Sequence, residues 1–445
     1  MLISDGARRV IAALEAAGHE AYAVGGCVRD SLLGQTPKDW DICTNAPPSR
    51  VAAVFAGEKV INTGAKHGSV TVMLGAQPYE VTAFRIDGAY GDGRRPDSVA
   101  FGCSLREDLA RRDFTCNAIA YNPSSGFTDP FGGAGDIKRK LLRCVGDPDC
   151  RFREDSLRIL RALRFAATLG FAIAPDTALA MERCCGLAGN IARERVSTEL
   201  NGLVMGEGLT ELLTRHKRIM FEIIPPLSPA DGFEQRNPYH IYDVYTHLLV
   251  SADAAPKDLT VRLTMLLHDI GKPACYTADE NGRGHFHGHG AVGADMARDI
   301  LRGLKYDNAA IKAICELILH HDAKINADAA SVRRWLNKLG ARRMRQLTAV
   351  RRADRMAQSA LAREELPQVD ALAQAIDNAL AEGQCFSLKS LAVNGRDLEG
   401  IGIQPGKRMG EILTELLQKV MDGELPNERE ALLAFAATRR SAGRQ

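Results

Sequence analysis

The apolar residues change their period partway along this chain, and that change limits the folds open to it. Before about residue 140 the apolar runs are short and bounded by turn residues. Tyr22-Ala23-Val24 stops at Gly25-Gly26, and strand-like runs follow at Trp40 to Cys43, Ser69 to Leu74 and Tyr79 to Phe84. Residues 1–19 are the exception, an amphipathic helix with Val10, Ile11, Leu14 and Ala17 on one side. From Asp155 the period becomes helical: Leu157, Leu160, Leu163 and Ala167 recur at helical spacing and Gly170 is a stop. A final helical region begins near Val369, where Ile412, Leu413, Leu416, Leu417 and Val420 share one face. An α+β chain follows, with its strands confined to the N-terminal part. At 445 residues it exceeds the ~250–300 at which one core stops growing, so two to four domains are expected. Pro225-Pro226-Leu227-Ser228-Pro229 is the best boundary, and the Gly-, Asp- and Arg-rich stretch Asp87 to Asp97 reads as a mobile loop.

Charge narrows the partners. Fifty-seven Lys+Arg against 55 Asp+Glu leave +2, so nucleic-acid binding needs a local basic patch. One lies between Lys138 and Arg164, where nine basic residues face four acids. Such a stripe attracts a phosphate backbone in a salt-sensitive way. No apolar run approaches the ~20 residues of a membrane span, and the start lacks a secretory pattern. Eleven scattered cysteines without a Cys-x-x-Cys suit a reducing cytoplasm.

Asp39-Trp40-Asp41 places two carboxylates at i and i+2, which on a strand point to one face. Paired hard oxygen donors suit Mg2+, which keeps waters for a substrate phosphate. Upstream, Gly25-Gly26-Cys27-Val28-Arg29-Asp30 offers backbone N–H groups that can approach a triphosphate, with Arg29 as a charged donor. Glu80 is open to two readings, a third acidic group or a structural partner of Arg85 or Lys66.

These residues carry a resemblance. Ala23 to Asp30 with Lys38-Asp39-Trp40-Asp41-Ile42 resembles the signature of class II template-independent nucleotidyltransferases, the bacterial CCA-adding enzymes and poly(A) polymerases. It continues through Gly64-Ala65-Lys66-His67-Gly68-Ser69-Val70, Glu80 to Arg85, Arg94-Arg95-Pro96, Asp108 to Ala118, and Asp129-Pro130-Phe131-Gly132-Gly133. The resemblance implies a polymerase-β-like head with a mixed sheet. It also implies Asp39 and Asp41 as Mg2+ ligands, with Gly26, Arg29 and Arg112 on the nucleotide.

Asp155, Arg158, Arg161 and Arg164 are spaced by three and line one edge of a helix, either as a salt-bridged face or as a base reader. Cytosine and adenine both set an amine donor beside a ring-nitrogen acceptor. Asp155 can accept from the first while Arg158 donates to the second, a pattern that guanine and uracil reverse. Glu154-Asp155 with Arg158 also resembles the amino-acid template of CCA-adding enzymes, with Arg161 and Arg164 around the pocket.

Eight of the eleven histidines fall between His240 and His321. His247, His268-Asp269 and Asp354 resemble the ligand order of HD metal-dependent phosphohydrolases. That implies one divalent metal (Mg, Mn, Ni, Co or Fe) on these four residues, and a second on His289 and His321. The expected organisation is a head at 1–145, a helical neck at 146–228, an HD domain at 235–360 and a tRNA-binding tail at 365–445. The expected function is addition of CCA to tRNA from CTP and ATP in the cytoplasm, with a possible HD activity on 2′,3′-cyclic or 2′ phosphates. The alternatives are a poly(A) polymerase, a CC- or A-only enzyme, an HD phosphohydrolase with an RNA-binding head, or a tRNA-binding module. The oligomeric state stays open.

Overall fold

The computed structural model describes residues 3–65, 68–88 and 99–441. The motif residues Lys66, His67 and Arg94-Arg95-Pro96, and most of the Asp87–Asp97 stretch, lie outside them. The chain divides into two compact units, Met1–Pro225 and Pro226–Gln445, and the cut falls within the proline-rich run.

The first unit opens with α1 (Asp5–Ala16), shorter than the sequence implies because Ser4 caps it by accepting the Ala7 N–H at 3.2 Å. Ala7, Val10, Ile11 and Leu14 form its buried stripe. A seven-stranded sheet follows, formed by β1 (Ala21–Val24), β2 (Asp41–Thr44), β3 (Lys59–Ile61), β4 (Ser69–Leu74), β5 (Gln77–Ala83), β8 (Ala120–Asn122) and β9 (Gly126–Thr128). Between β5 and β8, β6 (Arg85–Asp87) and β7 (Val99–Phe101) pair separately. The sheet order is β3-β4-β5-β2-β1-β8-β9. Only β2 and β5 run parallel, so the sheet is mixed. α2 (Gly26–Leu32) leaves β1 through Gly25, whose φ of 81° suits glycine.

Beyond the sheet the unit is mainly helical, with one short parallel pair, Leu141–Leu142 beside Ala172–Ile173. α3 (Leu105–Ala110) is held by a Ser104–Glu107 capping box. The single helical edge expected from Asp155 to Arg164 is interrupted. α4 (Pro148–Glu154) ends at Asp155, whose φ of −140° and ψ of 102° are extended, and α5 (Leu157–Leu169) begins beyond it. The cause is local. The Asp155 carboxylate accepts the Leu157 N–H at 3.1 Å, competing with continuation of the helix. α5 stops at Gly170, with φ 64°, as its sequence implies. α6 (Arg193–Val204) packs against α5.

The second unit is almost wholly helical. Its upper part is built from α7 (Val244–Ala254), α8 (Leu259–Leu267), α9 (His289–Gly303), α10 (Asn308–His320) and the long α11 (Ala329–Met356), which is kinked where Gly340 adopts φ 75°. α12 (Leu366–Ala381) lies along α11. α13 (Lys407–Asp422) and α14 (Arg429–Ser441) enclose a separate core with Leu398, Ile412, Leu416 and Leu432. Ile412, Leu416, Leu417 and Val420 are buried there as their spacing implies, and Leu413 is partly buried.

Gly271 sets how closely α9 approaches the end of α8. A Cβ at this position would stand 2.5 Å from the His289 carbonyl oxygen and 2.7 Å from the Gly293 nitrogen, both backbone atoms that cannot turn aside. Gly271→Ala is therefore expected to push the first turn of α9 outward and cost about 1–3 kcal/mol. A thermal melt should show a drop of several degrees. An unchanged midpoint would mean that α9 is not held by this contact.

Candidate active site and candidate metal centre

The parallel register of β2 and β5 sets Asp41 directly beside Glu80. Asp41 is the first residue of β2, and Asp39 stands in the bend before it, not on the strand. Trp40 between them is buried and anchors that bend. Three carboxylates thus gather at one exposed end of the sheet. Although the Asp41 side chain reaches solvent, the protein around it strips enough water from the carboxyl to push it up to about 6. The neighbouring charges of Glu80 and then Asp39 add to the rise, and Arg112 opposes it. Glu80 is therefore part of the acidic group by register. Neither its neighbour at i+5 nor spacing along one strand could have revealed a cross-strand partner.

The arginines around this end are held by other side chains. Arg112 packs its guanidinium against Gly25, where a Cβ would lie 3.1 Å from Nη1, and it pairs with the buried Asp108 at 3.4 Å. Arg29 is nearly buried and donates to Asn117 Oδ1 at 2.6 Å and to Asp30 Oδ1 at 2.7 Å. Gly26 is the first residue of α2, beside the Arg29 guanidinium.

The expected base-reading residues sit in a denser network than their spacing suggested. Asp155 faces Arg195 of α6 through two bonds, 3.2 and 2.9 Å. Arg158 donates to Glu154 at 2.7 Å and to the carbonyls of Arg151 and Arg111 at 3.1 and 2.9 Å. Arg161 grips Asp113 at 2.7 Å, and Arg164 pairs with Glu199. Arg29, Arg161 and Arg164 all stand over the Phe165 ring, at 5.1, 5.1 and 4.1 Å from its centroid. Burial alone would raise the Asp113 carboxyl, but Arg161, the Asn117 amide and the Phe114 N–H hold it below its ordinary range. Asp113, Arg195 and Glu199 were not singled out by sequence reasoning, since their partners lie 35 to 48 residues away, and neither was Phe165, which gathers Arg29 from the far end of the unit.

This network corrects the reading of the basic stripe. Arg139 and Arg143 pair with Asp136, Arg151 and Arg158 with Glu154, Arg161 with Asp113, and Arg164 with Glu199. Six of the nine cations are committed to internal carboxylates, so the count overstates what the stripe offers to phosphate.

In the second unit the histidines converge. His247 of α7 and His268 at the end of α8 face each other through Nε2 at 3.2 Å, and His247 lies 3.0 Å from Asp354 Oδ1. His289, at the start of α9, and His321, just after α10, form a second facing pair at 3.1 Å. Asp269 stands between the pairs. Its Oδ2 is 3.3 Å from His247 and His268, and its Oδ1 is 3.2 and 3.5 Å from His289 and His321. His268, His289 and His321 set Nδ1 at 2.7–2.9 Å from the carbonyl three residues earlier, which orients each Nε2 to the centre. All six expected residues are brought together. Asp322 joins the second pair, at 3.5 Å from His289. Lys272 reaches Asp269 at 2.6 Å. Burial would raise Asp269 and Asp354, yet the surrounding imidazoles, with Lys272 at Asp269, hold both carboxyls far down. His285, His287 and His320 lie outside the metal-capable groups found among the described residues.

Kinship agrees with this geometry. Residues 21–143 match the poly A polymerase head domain family, and residues 291–436 match tRNA nucleotidyltransferase domain 2. The chain is 35% identical to a CCA-adding enzyme of Limosilactobacillus fermentum over 97% of its own length and 96% of the relative's. Identity to the CCA-adding enzyme of Geobacillus stearothermophilus is also 35%, over 97% and 96%. Its fold resembles that of the Bacillus stearothermophilus CCA-adding enzyme solved with CTP, with a TM-score of 0.73, 31% identity, and 98% and 97% of the two chains covered. The fold and site thus define a nucleotidyltransferase with a polymerase-type head and a helical body. The chain belongs to the CCA-adding enzyme family of tRNA nucleotidyltransferases.

The raised Asp41 carboxyl has a pH signature. Between the ordinary carboxylate range and about pH 6 the folded protein keeps a proton that the unfolded chain has lost, so this group's contribution to stability declines as pH rises through that window. Asp41→Asn removes the cost. In metal-free buffer its melting temperature is expected to exceed wild type at about pH 8 and to match it at about pH 4. An equal difference at both pH values would refute the raised carboxyl.

Proposed function

We propose that this protein adds C, C and A to the 3′ end of tRNA from CTP and ATP, in the cytoplasm. The observation that carries the reading is the end-to-end kinship with CCA-adding enzymes combined with the acidic group at β2 and β5. All eleven cysteines are free thiols, in keeping with a reducing compartment. No helix among the described residues is long and apolar enough to cross a membrane.

Asp39, Asp41 and Glu80 are exposed hard-oxygen donors whose mutual repulsion a divalent cation relieves, so the residues present fit Mg2+. When bound, Mg2+ would neutralise the triphosphate and the departing pyrophosphate. The chain's own groups do the positioning. Arg112 and Arg29, beside the Gly25-Gly26 turn, would face the triphosphate and sugar. The Asn117 and Asp30 contacts keep the Arg29 guanidinium in one orientation before the nucleotide arrives.

Asp155 and Arg158 would read the base, with Arg161 and Arg164 shaping the pocket. Arg195 and the Leu157 N–H occupy three of the roughly four acceptor sites on the Asp155 carboxylate, leaving one for an exocyclic amine. Arg158 spends three of its five N–H groups on internal acceptors and keeps the rest for a ring nitrogen. The proposed layout is a head at 1–145, a neck at 146–228, an HD domain at 235–360 and a tail at 365–445. The HD residues fit divalent metal, since Asp269 Oδ1 is buried without a hydrogen-bond partner. When bound, the metal would supply an activated water for hydrolysis of a phosphoester such as a 2′,3′-cyclic phosphate.

Incubation with tRNA lacking its terminal CCA, with each labelled nucleotide in turn, tests the main reading. Successive incorporation of C, C and A supports it; unlimited A addition points to a poly(A) polymerase, and incorporation limited to C or to A marks a partial enzyme. Asp41→Ala is expected to abolish addition while tRNA affinity persists; retention of more than a small residue of activity would remove it from the metal role. Asp155→Ala is expected to raise UTP and GTP incorporation about ten- to hundredfold, as about 1–3 kcal/mol of discrimination is lost. Unchanged selectivity in single-turnover assays would leave the Asp155–Arg195 pair purely structural.

A further inference from the structure

Two cavities adjoin in the second unit, and their linings differ in kind. The first, about 220 Å³, is bordered by Asp269, His321 and Asp354 and is the approach to the proposed metal. The second, about 260 Å³, shares Tyr239, His240, Lys272 and Asp322 with the first. Beyond these it is faced by Arg283, His285, Phe286 and His287, and it meets the metal-capable groups at His289 and Asp322. The short hairpin behind this wall, Thr277–Ala278 with Gly284–His285, is docked tightly on the preceding segment. A Cβ at Gly284 would stand 2.3 Å from the Gln235 carbonyl oxygen, and the Gly284 N–H donates to the Arg236 carbonyl at 2.8 Å.

The walls of the second cavity are flat. Tyr239 is 40% exposed, yet its backbone is fixed: its carbonyl accepts the Ser359 N–H at 2.8 Å and its N–H donates to Asn237 Oδ1 at 3.1 Å. The Arg283 guanidinium stands 5.6 Å from the Tyr239 ring centroid and forms no ion pair among the described residues. The His285 and His287 rings lie 6° from parallel, with centroids 5.7 Å apart. Lys272 and His240 stand where the two cavities join. Lys272 reaches Asp269 at 2.6 Å and Gln235 at 2.7 Å, and lies 3.3 Å from His240 Nε2. An ammonium only donates, so Nε2 accepts and the imidazole proton sits on Nδ1. That Nδ1 is buried without a hydrogen-bond partner, a donor left over for a ligand.

A lipid tail would call for aliphatic walls, and a free sugar for carboxylates and amides that clasp its hydroxyls. Exposed aromatic faces beside an uncommitted guanidinium suit a flat π-system instead. Stacking a nucleobase on such a platform strengthens binding roughly tenfold or more. We propose that the second cavity is a nucleoside pocket, in which the base of a 2′- or 3′-phosphorylated ribonucleotide stacks on Tyr239 beside Arg283 while its phosphate extends past Lys272 into the first cavity. The unpaired His240 donor then lies at the level of the ribose. A free nucleotide and the 3′ end of an RNA offer the same chemistry to this pocket. The inference rests on the reading of the neighbouring cluster as a phosphohydrolase centre, and adds what selects its substrate.

The test uses the full-length protein freed of metal with a chelator, so that nothing is turned over. It is photolabelled with 8-azidoadenosine 3′-monophosphate over a range of concentrations, and the labelled peptides are sequenced, which separates this pocket from nucleotide held by the head. Label is expected in the peptides that carry Tyr239 or residues 283–287. Tyr239→Ala and Arg283→Ala change exposed side chains and should melt as wild type. Each is expected to raise the half-saturating concentration for that label about tenfold, whereas Tyr239→Phe should leave it unchanged. Adenosine 3′-monophosphate should compete about tenfold better than the baseless 1-O-methylribose 3-phosphate. A short RNA ending in a 3′-phosphate is the third competitor: its rank against the mononucleotide identifies the source, and either order supports the pocket. Label confined to the first unit, wild-type labelling of Tyr239→Ala, or equal competition by the baseless phosphate would overturn the inference. The parent reading fails separately: Mn2+-loaded wild type that labels as expected but opens no nucleoside 2′,3′-cyclic phosphate would overturn the phosphohydrolase assignment and leave a nucleotide-binding pocket.

Discussion

Asp113 and Arg161 meet at 2.7 Å where the last part of the sheet region touches α5, and the geometry of the first unit radiates from that contact. Asp113 also accepts from the Asn117 amide at 3.0 Å, and the same Asn117 takes the Arg29 guanidinium at 2.6 Å. Arg161 approaches Glu199, which holds Arg164, and Phe165 lies beneath three guanidinium groups. One enclosed carboxylate therefore positions both the arginine proposed for the triphosphate and the helix proposed for the base. Removing one member of such a buried network leaves an uncompensated charge, at about 3–5 kcal/mol. That cost keeps two elements separated by more than 40 residues in one register.

The two clusters of acids and imidazoles handle like charge in opposite ways. Asp39, Asp41 and Glu80 crowd at an open strand end, where a cation can arrive together with a phosphate and leave with it. Around Asp269 the charges are enclosed by helices, and each carboxylate faces imidazoles. Open donors suit Mg2+, which keeps part of its water shell, and enclosed nitrogen donors suit a resident transition metal. Second-sphere groups follow the same division. Three imidazoles are oriented by carbonyls three residues before them, whereas no comparable fixed partner surrounds Asp39 and Asp41 among the described residues.

Much of this was legible in the chain itself. The change of apolar period after residue 140 anticipated where the seven-stranded sheet ends, though two short strand pairs, Leu141–Leu142 with Ala172–Ile173 and Thr277–Ala278 with Gly284–His285, lie beyond it. Ser69–Leu74 forms a strand with the expected bounds. Gly170 closes its helix as predicted. The glycine turn, Asp39-Trp40-Asp41 and the histidine order carried their chemistry in local spacing. The same local reasoning misjudged Asp155, because spacing by three implies a shared helical edge only if the helix is continuous. Asp155 breaks it by taking an extended backbone and accepting the Leu157 N–H with its own carboxylate, and it turns toward Arg195 instead.

The sequence by itself determined which groups are chemically able: two carboxylates at i and i+2, arginines near glycines, and imidazoles with a His-Asp pair. These depend on residue type and short-range geometry, which hydrophobic periodicity and turn chemistry control. Only the tertiary structure decided which groups act together. Glu80 joins Asp41 through a parallel strand pairing, Asp269 spans two histidine pairs drawn from four elements, and two arginines of the basic stripe, Arg161 and Arg164, are absorbed by the distant Asp113 and Glu199. A cross-strand register or an ion pair spanning dozens of residues arises from packing and loop closure, and no local periodicity records it.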